Sequence, residues 1–313
     1  MNNLKEFSKI RIVWNLTNNC PFNCPMCVTS ANLREEKNIN KELLLKSILS
    51  IPKELLNIDF SGGDPLWLDE NYDIVKKASN ILGRDNISIS STGLSLAKLS
   101  DQELISLSQN YDMTYDFPIK YNEFDIRDKR YNPINYQQSK RLLDLGLNVD
   151  IMFPVRNIPL HIYDELAKDL CKLNPNSIKL LKCMPLNEKY DTNNIDSVKY
   201  TNYLMYALRR YGYTKKISIG CAMKEDYDYS NCCNMLSDRK IGLDQFGNLF
   251  TCIWASDLLV DREINPFYLG NLFDNTLLDI LNSKNIKDMK NYYQDDRDKC
   301  HVLSYYYQKN KKR

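Results

Sequence analysis

From residue 9 to about 181 the chain alternates short apolar runs with helical patterns, the mark of βα units that build a parallel sheet. Strands are expected at Lys9–Trp14, Leu56–Phe60, Ile87–Ser90, Met113–Phe117, Val149–Phe153 and Ser177–Leu181. The helices between them carry start and stop signals. Ser100 and Glu103 have the spacing of a capping box, Ile74, Val75, Ala78, Ile81 and Leu82 mark one helical face before Gly83, and Leu142, Leu143 and Leu145 precede a stop at Gly146. Six such strands fit a partial barrel, and 313 residues leave room for a small appendage.

The pattern changes after Pro185. A polar stretch, Asn187 to Asp196, leads into a helix ending at Gly212, and two short strands, Lys240–Leu243 and Leu249–Cys252, then flank Asp244-Gln245-Phe246-Gly247-Asn248. That is a β-hairpin in which Gly supplies positive φ. The expected division is a barrel over 1–190 and a β-hairpin/α domain over 191–313.

Lys and Arg number 42 against 40 Asp and Glu, a net charge of +2 that gives no reason to invoke nucleic acid as a partner. No apolar run approaches the roughly 18–20 residues that span a bilayer, and Lys5, Glu6 and Lys9 break any signal-peptide apolar region. A cytoplasmic protein without membrane attachment is expected. Ten cysteines in such a chain call for a reason, because reducing compartments leave thiols available for metals rather than disulfides.

Cys20-Pro-Phe-Asn-Cys24-Pro-Met-Cys27 follows directly on the first expected strand. Active sites of βα barrels lie at the C-terminal ends of the strands, so these thiols belong at the barrel mouth. Three close thiolates can hold three irons of a cubane cluster and leave the fourth iron open to a chelating substrate. The next cysteine is Cys171, so the local loop cannot close a cluster by itself. A structural zinc site and a chance grouping of free buried thiols are the competing readings. Ser61-Gly62-Gly63-Asp64-Pro65 comes straight after the second strand, where two glycines allow backbone to approach a ligand closely or simply make a tight bend.

Three cysteines in this spacing after a first strand resemble the radical S-adenosylmethionine (SAM) superfamily, whose fold is a partial (β/α)6 barrel. The resemblance implies a [4Fe–4S] cluster held by Cys20, Cys24 and Cys27. Its open iron would chelate the amino and carboxylate groups of SAM, and one electron would release methionine and a 5′-deoxyadenosyl radical. Met26 stands where the family usually has an aromatic residue, and can still pack against adenine. Gly62, Gly63 and Asp64 resemble the Gly-Gly-Glu element that binds the methionine amino group, with Asp64 shorter in reach. Ser91, at the end of the third strand, is a candidate for methionine or ribose contacts or part of a plain turn, and Asp116 and Arg127 are candidates for the ribose, carboxylate or substrate, an ordinary surface ion pair being the alternative for Arg127.

Cys221, Cys232, Cys233, Cys252 and Cys300 fall in the last third of the chain, around the hairpin. Together with Leu269-Gly270-Asn271-Leu272 they resemble the SPASM and twitch extensions of radical SAM proteins, which carry auxiliary clusters. The resemblance implies one auxiliary [4Fe–4S] cluster on Cys221, one of Cys232 and Cys233, Cys252 and Cys300; Cys233 is taken as the ligand. A zinc-stabilised hairpin, with His301 beside Cys300, and reduced core cysteines are the alternatives. The remaining Cys232 is a candidate hydrogen-atom donor to a substrate radical, or a packed spare thiol. Cys171, among Leu166, Leu170 and Leu173, reads as a core thiol.

The leading functional expectation is modification of a ribosomally made peptide by epimerisation or crosslinking, with electrons from a flavodoxin or ferredoxin. Only about eight residues precede the first strand, so a peptide would dock on the barrel or on a partner protein. A dehydrogenase or epimerase of a sugar or other small molecule is the alternative. A non-catalytic zinc- or cluster-binding protein is the alternative of another class.

Overall fold

The computed structural model describes residues 9–22, 24, 27–29, 31, 39–115, 131–184, 196–227, 229, 233, 240–258, 265–284, 286, 288–289 and 298–310. Its frame is one ten-stranded sheet. Seven strands follow in chain order: β1 (Ile10–Thr17), β2 (Leu56–Gly62), β3 (Ile87–Ser91), β4 (Asn110–Thr114), β5 (Asn148–Val155), β6 (Ser177–Lys182) and β7 (Lys216–Ile219). Every neighbouring pair among them is parallel. β8 (Lys240–Leu243) lies parallel against the other side of β1, and β9 (Asn248–Phe250) and β10 (Tyr268–Asn271) continue antiparallel from it. The sheet is an open partial barrel, with β10 at one edge and β7 at the other.

Helices connect the parallel strands: α1 (Lys41–Ile48), α2 (Asp69–Leu82), α3 (Asp101–Leu107), α4 (Tyr131–Asp144), α5 (Leu160–Leu173) and α6 (Ser197–Arg210). The capping box at the start of α3 forms, with the Ser100 hydroxyl accepting from the Glu103 amide and the Glu103 carboxylate accepting from Ser100. α4 closes at Gly146, whose φ of 74° lets Leu147 N–H return to the Leu142 carbonyl at 3.0 Å.

Strand side chains alternate between two environments. Ile12, Trp14, Ile58, Phe60, Ile89, Met113, Ile151, Phe153, Ile178 and Leu180 are buried in one core with Leu44, Val75, Ala78, Leu104, Leu166 and Leu204 of the helices. The inner face is different. There Arg11, Asp59, Asp112, Asp150, Lys179 and Lys240 come within electrostatic range of one another, and Arg11 Nε pairs with Asp59 Oδ2 at 2.5 Å. The barrel is dry outside its sheet and charged inside it.

Two features go beyond the expected plan. β7 adds a seventh parallel strand, and β8 joins the hairpin to the edge of β1, so elements on both sides of residue 190 share one sheet. Residue 190 itself lies outside the described residues. β4 occupies Asn110–Thr114, starting three residues before the expected Met113–Phe117, of which Asp116 and Phe117 lie outside the described residues. The expected run followed apolar content, whereas the strand pairs through Asn110 and Asp112, which stand on its polar face. Among the described residues no helix is long and apolar enough to cross a membrane.

Burial raises the Asp112 carboxyl to about 7, Asp59 and Asp150 add to the rise, and Arg11 and Lys179 oppose it. A carboxyl raised on folding binds more protons when folded, so its contribution is present at low pH and lost as pH rises from about 4 through 7. The loss is on the order of 4 kcal/mol. Asp112→Asn should therefore flatten the fall in stability between pH 5 and pH 8, measured by urea unfolding at both; an unchanged slope would assign that fall to other groups.

Candidate functional site

β1 ends in a backbone seam with β2. The register shifts between Asn15 and Thr17, Gly63 N–H donates to the Thr17 carbonyl at 2.8 Å, and Asp64 N–H donates to the Asn19 carbonyl at 2.9 Å. The approach leaves no room for side chains: a Cβ on Gly62 would stand 2.4 Å from Thr17 O, and one on Gly63 would stand 2.2 Å from Asn19 O. Gly62 also has a φ of 117°, which L side chains rarely adopt. Both glycines of the Gly-Gly segment are thus required by the seam that places the residues just ahead of Cys20.

Cys20, Cys24 and Cys27 are all half-buried, and Cys27 N–H closes a turn onto the Cys24 carbonyl at 3.0 Å. Burial pushes the Cys20 thiol up to about 12; the Phe22 N–H opposes this, while Asp64, Cys24 and Cys27 are near enough to add to it. The three sulfurs and the Gly-Gly segment therefore occupy one place. Thr29, which the sequence did not single out, ties them together: its hydroxyl donates to the Gly62 carbonyl at 3.2 Å and lies 3.2 Å from Cys27 Sγ.

The Asp64 carboxylate is fully buried and directed at the loop after β3. Thr92 Oγ1 donates to Oδ2 at 2.5 Å and Ser95 Oγ donates to Oδ1 at 2.6 Å, with weaker bonds from Thr92 N–H and Ser91 Oγ. Ser91 also accepts from Gly93 N–H at 3.0 Å, so its hydroxyl belongs to the same network. Met26 and Asp116, expected near the adenosine moiety, lie outside the described residues, as does Arg127.

A second group of thiols gathers elsewhere. Cys221 opens the short helix α7 (Cys221–Lys224), Cys252 follows β9, and Cys300 precedes the C-terminal helix His301–Asn310. Burial raises the Cys252 thiol well above its ordinary range, and Cys221, Cys300 and Cys233 are close enough to raise it further; the Trp254 N–H opposes them. Cys300 is pushed up to about 12 by burial, with Cys221, Cys233 and Glu225 adding to it and the Leu303 N–H opposing. Cys233, Cys300, Phe250, Phe267 and Leu303 share a small apolar cluster separate from the main core, with Cys252 packed against it. Glu225 accepts from Cys300 N–H at 2.9 Å, fixing the C-terminal segment to the end of α7. Cys232, the candidate hydrogen donor, lies outside the described residues.

Among the described residues no three His, Cys, Asp or Glu side chains converge so as to hold a single metal ion. Tetrahedral zinc, with bonds of ~2.3 Å to sulfur, would draw its thiolates to about 3.8 Å from one another. Cubane thiolates each bind a different iron and stand wider apart.

Two more groups at the ends of barrel strands had no sequence signal beyond position. Arg156, just after β5, is buried, and Cys183, just after β6, is buried with its Sγ 3.4 Å from the Val155 carbonyl. Cys171 of α5 sits half-buried with its Sγ 3.5 Å from the Leu208 carbonyl.

Residues 14–173, just over half of the 313-residue chain, match the sequence model of the Radical SAM superfamily. The chain belongs to that superfamily. As a radical SAM enzyme it is expected to use a [4Fe–4S] cluster and SAM, and the donor chemistry fits: three thiols on one loop, with no fourth cysteine in it, beside a segment that admits only glycine.

Solved structures share the fold. SuiB from Streptococcus suis, bound to precursor peptide SuiA, superposes with a TM-score of 0.71 at 12% identity over 91% of this chain and 68% of its own. SuiB bound to S-adenosylmethionine gives 0.69 at 15% identity over 90% and 68%. Native anSMEcpe with bound AdoMet gives 0.62 at 14% identity over 89% and 82%. No curated protein sequence matches the chain.

Gly63→Ala must force the seam apart, at a cost of about 1–3 kcal/mol. It should weaken SAM binding roughly tenfold or more at matched iron content, measured by anaerobic titration calorimetry. Unchanged affinity would show that the close approach to Asn19 does not shape the site.

Proposed function

We propose that this radical SAM enzyme modifies a peptide by abstracting a hydrogen atom from it. The observation that carries the proposal is the pairing of two thiol groups on one sheet: three on the loop after β1, four around the hairpin that continues from β1. Cys20, Cys24 and Cys27 are assigned to the cluster that binds SAM. When bound, that cluster and SAM supply the 5′-deoxyadenosyl radical.

The chain's own residues do the positioning. The Gly62-Gly63 backbone is assigned to the methionine end of SAM and Ser91 to the rest of it, with Met26 and Asp116 kept as candidates from the sequence alone. Cys221, Cys233, Cys252 and Cys300 would hold one auxiliary [4Fe–4S] cluster. The N–H groups of Trp254 and Leu303, directed at Cys252 and Cys300, offset part of the rise that burial imposes on those two thiols. Cys233 and Cys300 share one apolar cluster with Cys252 packed against it, and Cys221 lies close enough to act on both Cys252 and Cys300, which supports a single four-thiol site.

A peptide substrate is supported by the neighbours. SuiB is seen with its precursor peptide SuiA and anSMEcpe with the Cp18Cys peptide, and each aligns with about nine tenths of this chain. Residues 191–313 would form the auxiliary-cluster region, Cys232 would return a hydrogen atom to the substrate radical in an epimerisation, and a flavodoxin or ferredoxin would supply electrons.

Anaerobically reconstituted protein should contain about eight irons per chain, falling to about four in Cys252→Ala. It should release 5′-deoxyadenosine from SAM under reduction, and Cys24→Ala should abolish that release. Incubation with candidate peptides in D2O, followed by mass spectrometry, should show deuterium incorporation for epimerisation or a loss of two hydrogens for a crosslink. Zinc in place of iron, with no 5′-deoxyadenosine, would overturn the proposal. Turnover of small molecules only would overturn the peptide assignment alone.

A further inference from the structure

The side chain of Asp64 is the most completely engaged polar group described near the candidate SAM site. It has no solvent exposure, and five donors converge on it: Ser95 Oγ at 2.6 Å and Leu66 N–H at 3.3 Å on Oδ1, Thr92 Oγ1 at 2.5 Å, Thr92 N–H at 3.3 Å and Ser91 Oγ at 3.4 Å on Oδ2. A carboxylate offers about four acceptor positions, so this one is saturated within the protein. Four of its five donors belong to the last residue of β3 and the loop that follows it. The Asp64 backbone faces the other way, donating to Asn19 in the segment that leads into Cys20. One residue thus touches three segments: the start of the cysteine loop, the Gly-Gly turn and the Ser91–Ser95 loop.

We propose that Asp64 is a positioning residue that clamps the Ser91–Ser95 loop to the Gly-Gly segment and the approach to Cys20, and that it does not contact SAM with its side chain. The inference rests on the reading of residues 62–64 as part of the SAM site. Its physical basis is reach. Aspartate ends one methylene earlier than glutamate, and here that shorter arm finishes among hydroxyls inside the fold. SAM is left to meet backbone groups of Gly62 and Gly63, whose position the clamp holds. Such a network is worth most when it is complete, because removal of either short hydroxyl bond leaves the buried carboxylate held by its longer, weaker bonds and loosens both loops together.

Ser95 separates the clamp from a direct ligand, because it is 1% exposed and bonds to Asp64 from the interior. Wild type, Ser95→Ala, Thr92→Val, Asp64→Asn and the Ser95→Ala/Asp64→Asn double variant would be reconstituted to matched iron content. SAM affinity would be measured by calorimetry, and hydrogen–deuterium exchange read over residues 15–20 and 91–97. The clamp predicts that Ser95→Ala and Thr92→Val each weaken SAM binding about fivefold to tenfold. It also predicts that the double variant is no weaker than Asp64→Asn alone, and that exchange rises in both loops in every variant.

Wild-type affinity in Ser95→Ala and Thr92→Val beside a loss in Asp64→Asn, or additive losses in the double variant, would overturn the proposal in favour of direct contact. Should Asp64→Asn fail to load iron, Ser95→Ala and Thr92→Val decide the question alone. A wild-type protein that takes up no iron would defeat the reading of the site and leave the clamp to be judged by the exchange pattern, where unchanged protection in Ser95→Ala would sink it.

Discussion

Everything at the barrel mouth depends on how closely two backbones approach where β1 and β2 end. The amides of Gly63 and Asp64 reach the carbonyls of Thr17 and Asn19, and neither glycine could carry a Cβ without collision. This contact decides where Cys20 stands relative to the Gly-Gly turn. Thr29 adds a second tie from the far side of the cysteine loop, and Asp64 adds a third toward β3. A thiol loop anchored in this way can receive a large inorganic group without spending that group's binding free energy on ordering the chain.

The electrostatics of the two thiol groups follow one logic. Burial favours the neutral thiol at Cys20, Cys252 and Cys300, so the folded chain without metal keeps protons on sulfur. Uptake of the proposed clusters would displace those protons, and the backbone N–H groups aimed at the sulfurs would assist the exchange. The inner face of the sheet obeys a different rule. Its mixed charges are partly paired, as in Arg11 with Asp59, and raise Asp112 where desolvation outweighs the cations around it.

Local signals were legible in the sequence wherever a short stretch sufficed to determine structure. The capping box of Ser100 and Glu103, the stop at Gly146 and the strand before each turn depend on neighbours a few residues away, and the structure contains them. The strand β7 was missed because Lys216–Ile219 is short and only half apolar, and it is recognisable mainly through its pairing with β6. The docking of β8 on β1 joins positions more than 200 residues apart, and no pattern within either strand announces it. Asp64 shows the same limit at the site: its residue type suggested a ligand, but which way a carboxylate turns is set by Ser91, Thr92 and Ser95 at the end of another strand and in the loop after it. Thr29, Arg156 and Cys183 left no trace as single residues in loops, since their interest comes from where strands end in space.

The seating of β8 along β1 also bears on how this polypeptide could be dissected. A partial barrel cut off before β7 would present two raw rims of unpaired peptide groups, one along β1 and one along β6. Such rims recruit other strands and promote self-association. The last third of the chain therefore acts as a border for the barrel as well as a home for sulfur, which ties the solubility of the first part to the presence of the second.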